Sequence, residues 1–243
     1  MAAVASLSWF GSLARADDGT PDRPNASVLI PSGSPNSPQA PLPTFVPGGE
    51  GKARTSLFGV TGEGYSFVYV FDRSGSMGGS GRTSLRAVKA ELLNSLKNLG
   101  PTQQFQIIFY NDRPTLFNPS GIPGKLAFAN ENNKQRALQF VDSINAGGGT
   151  EHEDALKMAT GLHPDVIFFL TDGDRPQLSP RQLEKVQRWA AGTIINTVEF
   201  GPGPHPAANS FVAQIAQLTG GQYAYVDTTK LPSADRGKGE SQQ

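Results

Sequence analysis

Five short runs rich in Val, Ile, Phe and Tyr, separated by segments with a helical repeat, constrain this chain more than any other feature. They fall at residues 67–72, 105–110, 166–171, 194–200 and 222–226, each bounded by turn residues. Runs of that length, apolar on both alternations in their cores, read as strands buried on both faces. The intervening segments carry helical stripes. Thr83 to Leu99 places Leu85, Val88, Leu92, Leu93, Leu96 and Leu99 on one face and ends at Gly100-Pro101, a helix stop signal. Further helices are expected over Asn133 to Ile144, Asp154 to Leu162, Pro180 to Ala191 and Asn209 to Leu218. Strands alternating with helices predict a three-layer α/β fold of Rossmann-like type, a mostly parallel central sheet flanked by helices. Sheets of that kind bind ligands beyond the carboxyl ends of their strands.

Three loops at that edge hold oxygen-bearing side chains. The first strand runs into Asp72-Arg73-Ser74-Gly75-Ser76. One carboxylate and two hydroxyls at alternate positions suit a hard divalent cation, since Mg²⁺ takes oxygen ligands in near-octahedral geometry. The plainer reading is a strand-ending turn whose serines bond their own backbone. The strand 166–171 ends in Asp172-Gly173, which puts a second carboxylate on the same edge or forms a common Asp-Gly turn. Gly147-Gly148-Gly149-Thr150 precedes a helix. Thr150 is either a hydroxyl ligand at the helix start or, with Glu153, half of a capping box.

Composition excludes several functions. Lys+Arg and Asp+Glu are equal at 21 each, so no basic excess points to nucleic acid or an anionic membrane surface. There is no cysteine, hence no disulfide framework, thiolate metal site or Cys nucleophile. Three histidines, His152, His163 and His205, argue against a multi-His zinc site. His152, between Glu151 and Glu153, reads as a solvated first-turn residue rather than a base or ligand. No run of about 18 apolar residues exists, so no full transmembrane helix is encoded. Residues 1–16 are apolar and end in Ala14-Arg15-Ala16; they are read as a signal or a truncated membrane-anchor segment. Residues 17–54 hold eight of the 19 prolines and read as a linker. Residues 231–243 read as a polar tail.

Taken in order, Asp72-x-Ser74-x-Ser76, Gly148-Gly149-Thr150 and Thr171-Asp172-Gly173 resemble the metal-ion-dependent adhesion site of von Willebrand factor type A domains. The resemblance covers roughly residues 55–230 and fills all five positions with the family's residue types. It implies strand order 3-2-1-4-5-6, with a short antiparallel edge strand near 114–118. It implies that Ser74, Ser76 and, in one state, Thr150 bind the metal directly, and that Asp72 and Asp172 do so directly or through water. The stretches 67–77 and 222–227 are similar to bacterial members, often envelope-associated. A cell-envelope, secreted or membrane-anchored location is expected if residues 1–16 are a targeting segment, and a cytoplasmic one otherwise; only that segment would touch a membrane.

Hydroxyl and water ligands leave the cation much of its charge, so an external carboxylate is attracted to it. The expected function is therefore capture of an Asp or Glu of a protein partner by Mg²⁺, or by Mn²⁺ or Ca²⁺, without catalysis. Arg73, Arg82, Arg113 and Arg175 are expected near the edge, against Asp112, Glu151 and Asp174. A Mg²⁺-dependent hydrolase at the same edge is the alternative, as is a metal-stabilised structural module of an envelope complex. The sequence lacks a P-loop, since 78–83 has neither the spacing nor the Lys. It also lacks a G-x-S-x-G elbow around Ser74 and Ser76. Tyr223 and Tyr225 read as sheet packing.

Overall fold

The computed structural model describes residues 51–78, 84–174, 176–204 and 209–231. The segment 1–16, most of the linker, Arg82, Arg175, His205 and the tail beyond residue 231 lie outside the described residues. In chain order the strands are β1 (Ala53–Leu57), β2 (Val60–Gly64), β3 (Ser66–Asp72), β4 (Gln104–Tyr110), β5 (Pro114–Leu116), β6 (Ala127–Phe128), β7 (Val166–Thr171), β8 (Ile194–Gly201) and β9 (Tyr223–Asp227). The helices are α1 (Ser84–Lys97), α2 (Glu131–Ser143), α3 (His152–Thr160), α4 (Pro180–Trp189) and α5 (Phe211–Thr219).

The main sheet runs β5-β4-β3-β7-β8-β9, with β6 pairing β4. This is the order the resemblance implied, and β5 is the antiparallel edge strand. β3 lies at the centre, parallel to β4 on one side and to β7 on the other. Side chains alternate across a strand, and β3 divides accordingly. Phe67, Tyr69 and Phe71 enter a core shared with α1 and α2, whereas Val68 and Val70 enter one shared with α3, α4 and α5. Burial on both faces explains why the strands were legible as continuous apolar runs.

A hairpin of β1 and β2 went unread, and β1 begins inside the stretch read as linker. Leu57 and Val60 are buried, and the connecting Phe58 and Gly59 both have positive φ (46° and 90°), the geometry favoured by tight hairpin turns. Gly62 lies so close to the sheet that a Cβ there would stand 2.6 Å from Val166 Cγ1. A glycine inside a strand marks such close backbone approach. Thr55 on β1 bonds Ser95 on α1 (2.6 Å between hydroxyls), and Ser95 bonds Tyr69 on β3 (2.9 Å).

Replacing Gly62 by Leu is expected to overpack this contact and lower unfolding free energy by about 1–3 kcal/mol. Urea denaturation measures it; an unchanged midpoint would mean that the hairpin does not pack on β7.

Candidate metal centre

Parallel pairing brings the ends of β3 and β7 side by side, which places Asp72, Ser74, Ser76 and Asp172 at one edge of the sheet; Thr150 reaches that edge on the separate glycine loop. Asp72 closes β3 and is fully buried; Ser74 is buried in the turn that follows, and Ser76 is half-buried in the 3₁₀ turn Gly75–Gly78. The Ser74 amide donates to Asp72 Oδ1 (2.7 Å), and the Ser74 and Ser76 hydroxyls lie 3.1 Å apart. Thr171, the last residue of β7, donates its hydroxyl to Asp72 Oδ2 (2.7 Å) and accepts from the Gly173 amide (3.1 Å). Asp172 is half-buried and its Oδ1 accepts from the Asp174 amide (3.3 Å).

Backbone bonds fasten the glycine loop to the first loop. Gly147 N donates to Arg73 O (2.8 Å), and Gly75 N donates to Gly148 O (3.1 Å). Side chains after β4 hold the loop from the other side. Asn111 Nδ2 donates to Gly147 O (2.7 Å), and Gly149 N is shared by both Asp112 oxygens (3.0 Å each). Thr150 follows directly and is half-buried. The capping-box reading of Thr150 fails. α3 starts at His152 with Glu151 as N-cap and no side-chain cap bond, and Glu153 instead accepts from Gln182 (2.7 Å) and Lys185 (2.8 Å).

His152 corrects a second expectation. It is 1 % exposed, with Nδ1 2.8 Å from the Tyr110 hydroxyl and its ring 4.9 Å from that of Phe211. Burial pushes it down to about 4, against the opposing pull of the Asp174 backbone, so it is a neutral brace at physiological pH. The tight loop aims the first turn of α3 inward, a direction that flanking Glu151 and Glu153 conceal in the sequence. Arg73 is also drawn inward, toward Asn145 O (3.3 Å) and Thr115 Oγ1 (3.4 Å). Asp112 is occupied by Gly149. Tyr223 does more than pack, donating to buried Glu199 (2.9 Å). Asn111 and Tyr110 were missed as supports of the site; Asp112 was expected at this edge only as a charge and is found holding Gly149, and Thr171 was read only as the residue that enters the Asp172 turn.

Burial raises the Asp72 carboxyl to about 6; bonds from Ser74 and Thr171 oppose the rise and the Asp172 charge adds to it. Among the described residues no Lys or Arg forms an ion pair with Asp72. No cluster of three or more His, Asp or Glu exists there either. The donor set is thus two carboxylates and hydroxyls. It fits a hard divalent cation, whose charge would relieve the carboxylate pair, and it does not fit a softer His-rich site. A cavity of about 300 Å³ opens beside Ser76 and Asp172, bordered by Asp174, Pro202 and Thr228.

Known proteins share this family and fold. The family described as von Willebrand factor type A domain matches residues 67–174. Human inter-alpha-trypsin inhibitor heavy chain H4 is 30% identical over 178 residues, 67% of this chain and 18% of that protein. Human von Willebrand factor A domain-containing protein 3B is 31% identical over 102 residues, 42% of this chain and 8% of that protein. The chain spans less than a fifth of the length of these relatives. Among solved structures, a von Willebrand factor type A protein from Catenulispora acidiphila superposes with TM-score 0.57 at 20% identity, covering 70% of this chain and 41% of that one. BatB from Bacteroides thetaiotaomicron gives 0.52 at 16% identity, covering 68% and 91%. Proximal thread matrix protein 1 of the mussel byssus, with its MIDAS motif occupied by zinc, gives 0.50 at 21% identity, covering 68% and 42%.

A raised carboxyl means that the folded state holds its proton more tightly than the unfolded chain. In EDTA, this group's contribution to stability is full below about pH 4 and is lost as pH rises through about 6. Asp72→Asn keeps the Ser74 bond and removes the charge. It is expected to stabilise the metal-free protein at pH 7 by about 1–3 kcal/mol, read by urea denaturation in EDTA; a less stable variant would contradict the buried-charge account.

Proposed function

Because this chain carries a von Willebrand factor type A domain, we propose that it is a metal-ion-dependent protein-binding module that captures an acidic side chain of a partner. The observation that carries this reading is the buried Asp72, held by Ser74 N and Thr171 Oγ1 while the Ser74 and Ser76 hydroxyls stand 3.1 Å apart beside it. Asp72, Ser74, Ser76, Thr150 and Asp172 would hold the ion, Mg²⁺ in the first place and Mn²⁺ or Ca²⁺ as alternatives. When bound, a divalent cation supplies a positive centre for an incoming Asp or Glu carboxylate. The zinc in the mussel protein's motif supports divalent binding by this arrangement.

The chain's own residues divide the remaining work. Thr171 and the Ser74 amide fix the Asp72 carboxylate, and outer partners of this kind orient ligands and tune affinity. Gly147 to Gly149, tied to Arg73, Asn111 and Asp112, set where Thr150 stands. The cavity beside Ser76 and Asp172 leaves room for the partner's side chain.

A hydrolase would need a base near the attacked bond. His152, the one imidazole near this edge among the described residues, is buried and engaged by Tyr110, so it is not placed to serve as that base. No helix among the described residues is long and apolar enough to cross a membrane. An envelope or secreted location remains a proposal resting on residues 1–16.

Mg²⁺ or Mn²⁺ is expected to raise the melting temperature of the wild type by several degrees and to leave Asp72→Ala unmoved, as measured by calorimetry. Equal shifts in both would refute the site. Capture of a partner on immobilised protein is expected to be lost in EDTA and in Asp172→Ala. Capture that survives EDTA would instead favour a metal-independent structural module. Ester and phosphate substrates with Mg²⁺ should show no turnover, and turnover lost in Ser74→Ala would establish the hydrolase.

A further inference from the structure

The pole opposite the metal centre holds a groove between the C-terminal ends of α3 and α4. His163-Pro164-Asp165 leads into the first residue of β7, whereas Asp172 follows its last, so the two poles lie about 20 Å apart along the strand. The groove has a volume of about 410 Å³ and is lined by Lys157, Thr160, His163, Arg188 and Trp189, among others, with no carboxylate in its lining. The Lys157 ammonium sits 5.9 Å from the centroid of the Trp189 ring. Among the described residues neither Lys157 nor Arg188 forms an ion pair.

Basic residues in the last turn of a helix are often accounted for by the helix dipole, and Lys157 and Arg188 occupy such positions. That account covers one charge per helix. It does not explain why both line one groove with His163 and a half-buried indole. The acidic residues of the same helices, Glu153, Asp154 and Glu184, stand about one turn back, outside the lining, and Glu153 is paired with Lys185 (2.8 Å). The whole chain has no net charge, so the local excess is not part of a generally basic surface.

We propose that this groove is a second, metal-independent binding site for a protein segment that carries Phe or Tyr next to Asp or Glu. The Trp189 face takes the partner's ring, because offset aromatic contact adds to simple burial. Lys157 and Arg188 take the carboxylate through charge-assisted hydrogen bonds, and Arg188 can do so with two parallel bonds. The lining's charge selects an acidic segment over a basic one. With both poles accepting acids, one through a cation and one through side chains, the domain can bridge two acidic partners.

Trp189 reports directly on this site. In a Trp9→Phe background it is the only tryptophan left of the chain's two. The experiment titrates that protein, in EDTA, with the blocked peptide Gly-Glu-Phe-Glu-Gly and follows indole emission. A saturable change with a midpoint of about 0.1–1 mM is expected. The Lys157→Glu/Arg188→Glu pair should raise that midpoint at least tenfold. The peptide with Lys in place of both Glu should give no saturable change. Replacing EDTA by Mg²⁺ should leave the midpoint unchanged, which separates this site from the metal centre. The proposal is overturned by an absent or unsaturable response, by an equal response to the Lys peptide, or by a midpoint that the charge reversals leave alone. Should the reversed pair fold poorly, Lys157→Gln/Arg188→Gln decides in the same way, with at least a threefold rise expected.

Discussion

A buried carboxylate at the end of the central strand organises this molecule. Asp72 is fully buried, yet it is bonded by one amide and one hydroxyl and shares its surroundings with a second carboxylate, Asp172. Burying charge is unfavourable unless it is compensated. The sheet places Asp72 there all the same, because β3 lies between β4 and β7, with Asp72 in register with Tyr110 on β4 and the preceding Phe71 in register with Leu170 on β7. Among the described residues no Lys or Arg forms an ion pair with this buried carboxylate, and a hard cation is a counter-charge that fits the oxygens around it.

The loops that complete the pole are positioned by backbone geometry rather than by their own rigidity. Two bonds tie the glycine loop to the Arg73 to Gly75 turn, and Asn111 and Asp112 reach it from the end of β4. Glycine at 148 is needed for two reasons. Its φ is +80°, and an added Cβ would stand 2.3 Å from an Asp112 oxygen. His152 and Tyr110 sit behind this assembly as a buried neutral pair, linking the first turn of α3 to the end of β4. This edge thus draws on three strand ends and one helix start, which a parallel α/β sheet brings to one side.

Much of this was legible in the sequence, for a physical reason. Strands covered on both faces have to be apolar throughout, so β3, β4, β7 and β8 stood out to within a residue or two. Four of the five candidate oxygen donors, Asp72, Ser74, Ser76 and Asp172, lie at or just beyond the ends of β3 and β7, and Thr150 precedes α3. What escaped was whatever depends on tertiary approach. The hairpin of β1 and β2 is half polar and holds Gly62 and Gly64, which weaken any strand pattern while permitting contact with β7 and Asp165. His152 carries acidic neighbours that suggest solvent, and only the inward aim of α3 reveals its burial. Thr150 matched a capping box in spacing, but Glu153 found stronger partners on α4.

The central claim is that Asp72, Ser74, Ser76, Thr150 and Asp172 converge on one divalent cation. The most direct measurement is an anomalous-difference map from crystals of this chain grown with Mn²⁺, collected near the manganese edge. The account predicts a single strong peak per chain between the Asp72 to Ser76 turn and Asp172, bonded to the Ser74 and Ser76 hydroxyls. A map with no peak there, or with its main peak at other residues, would contradict it.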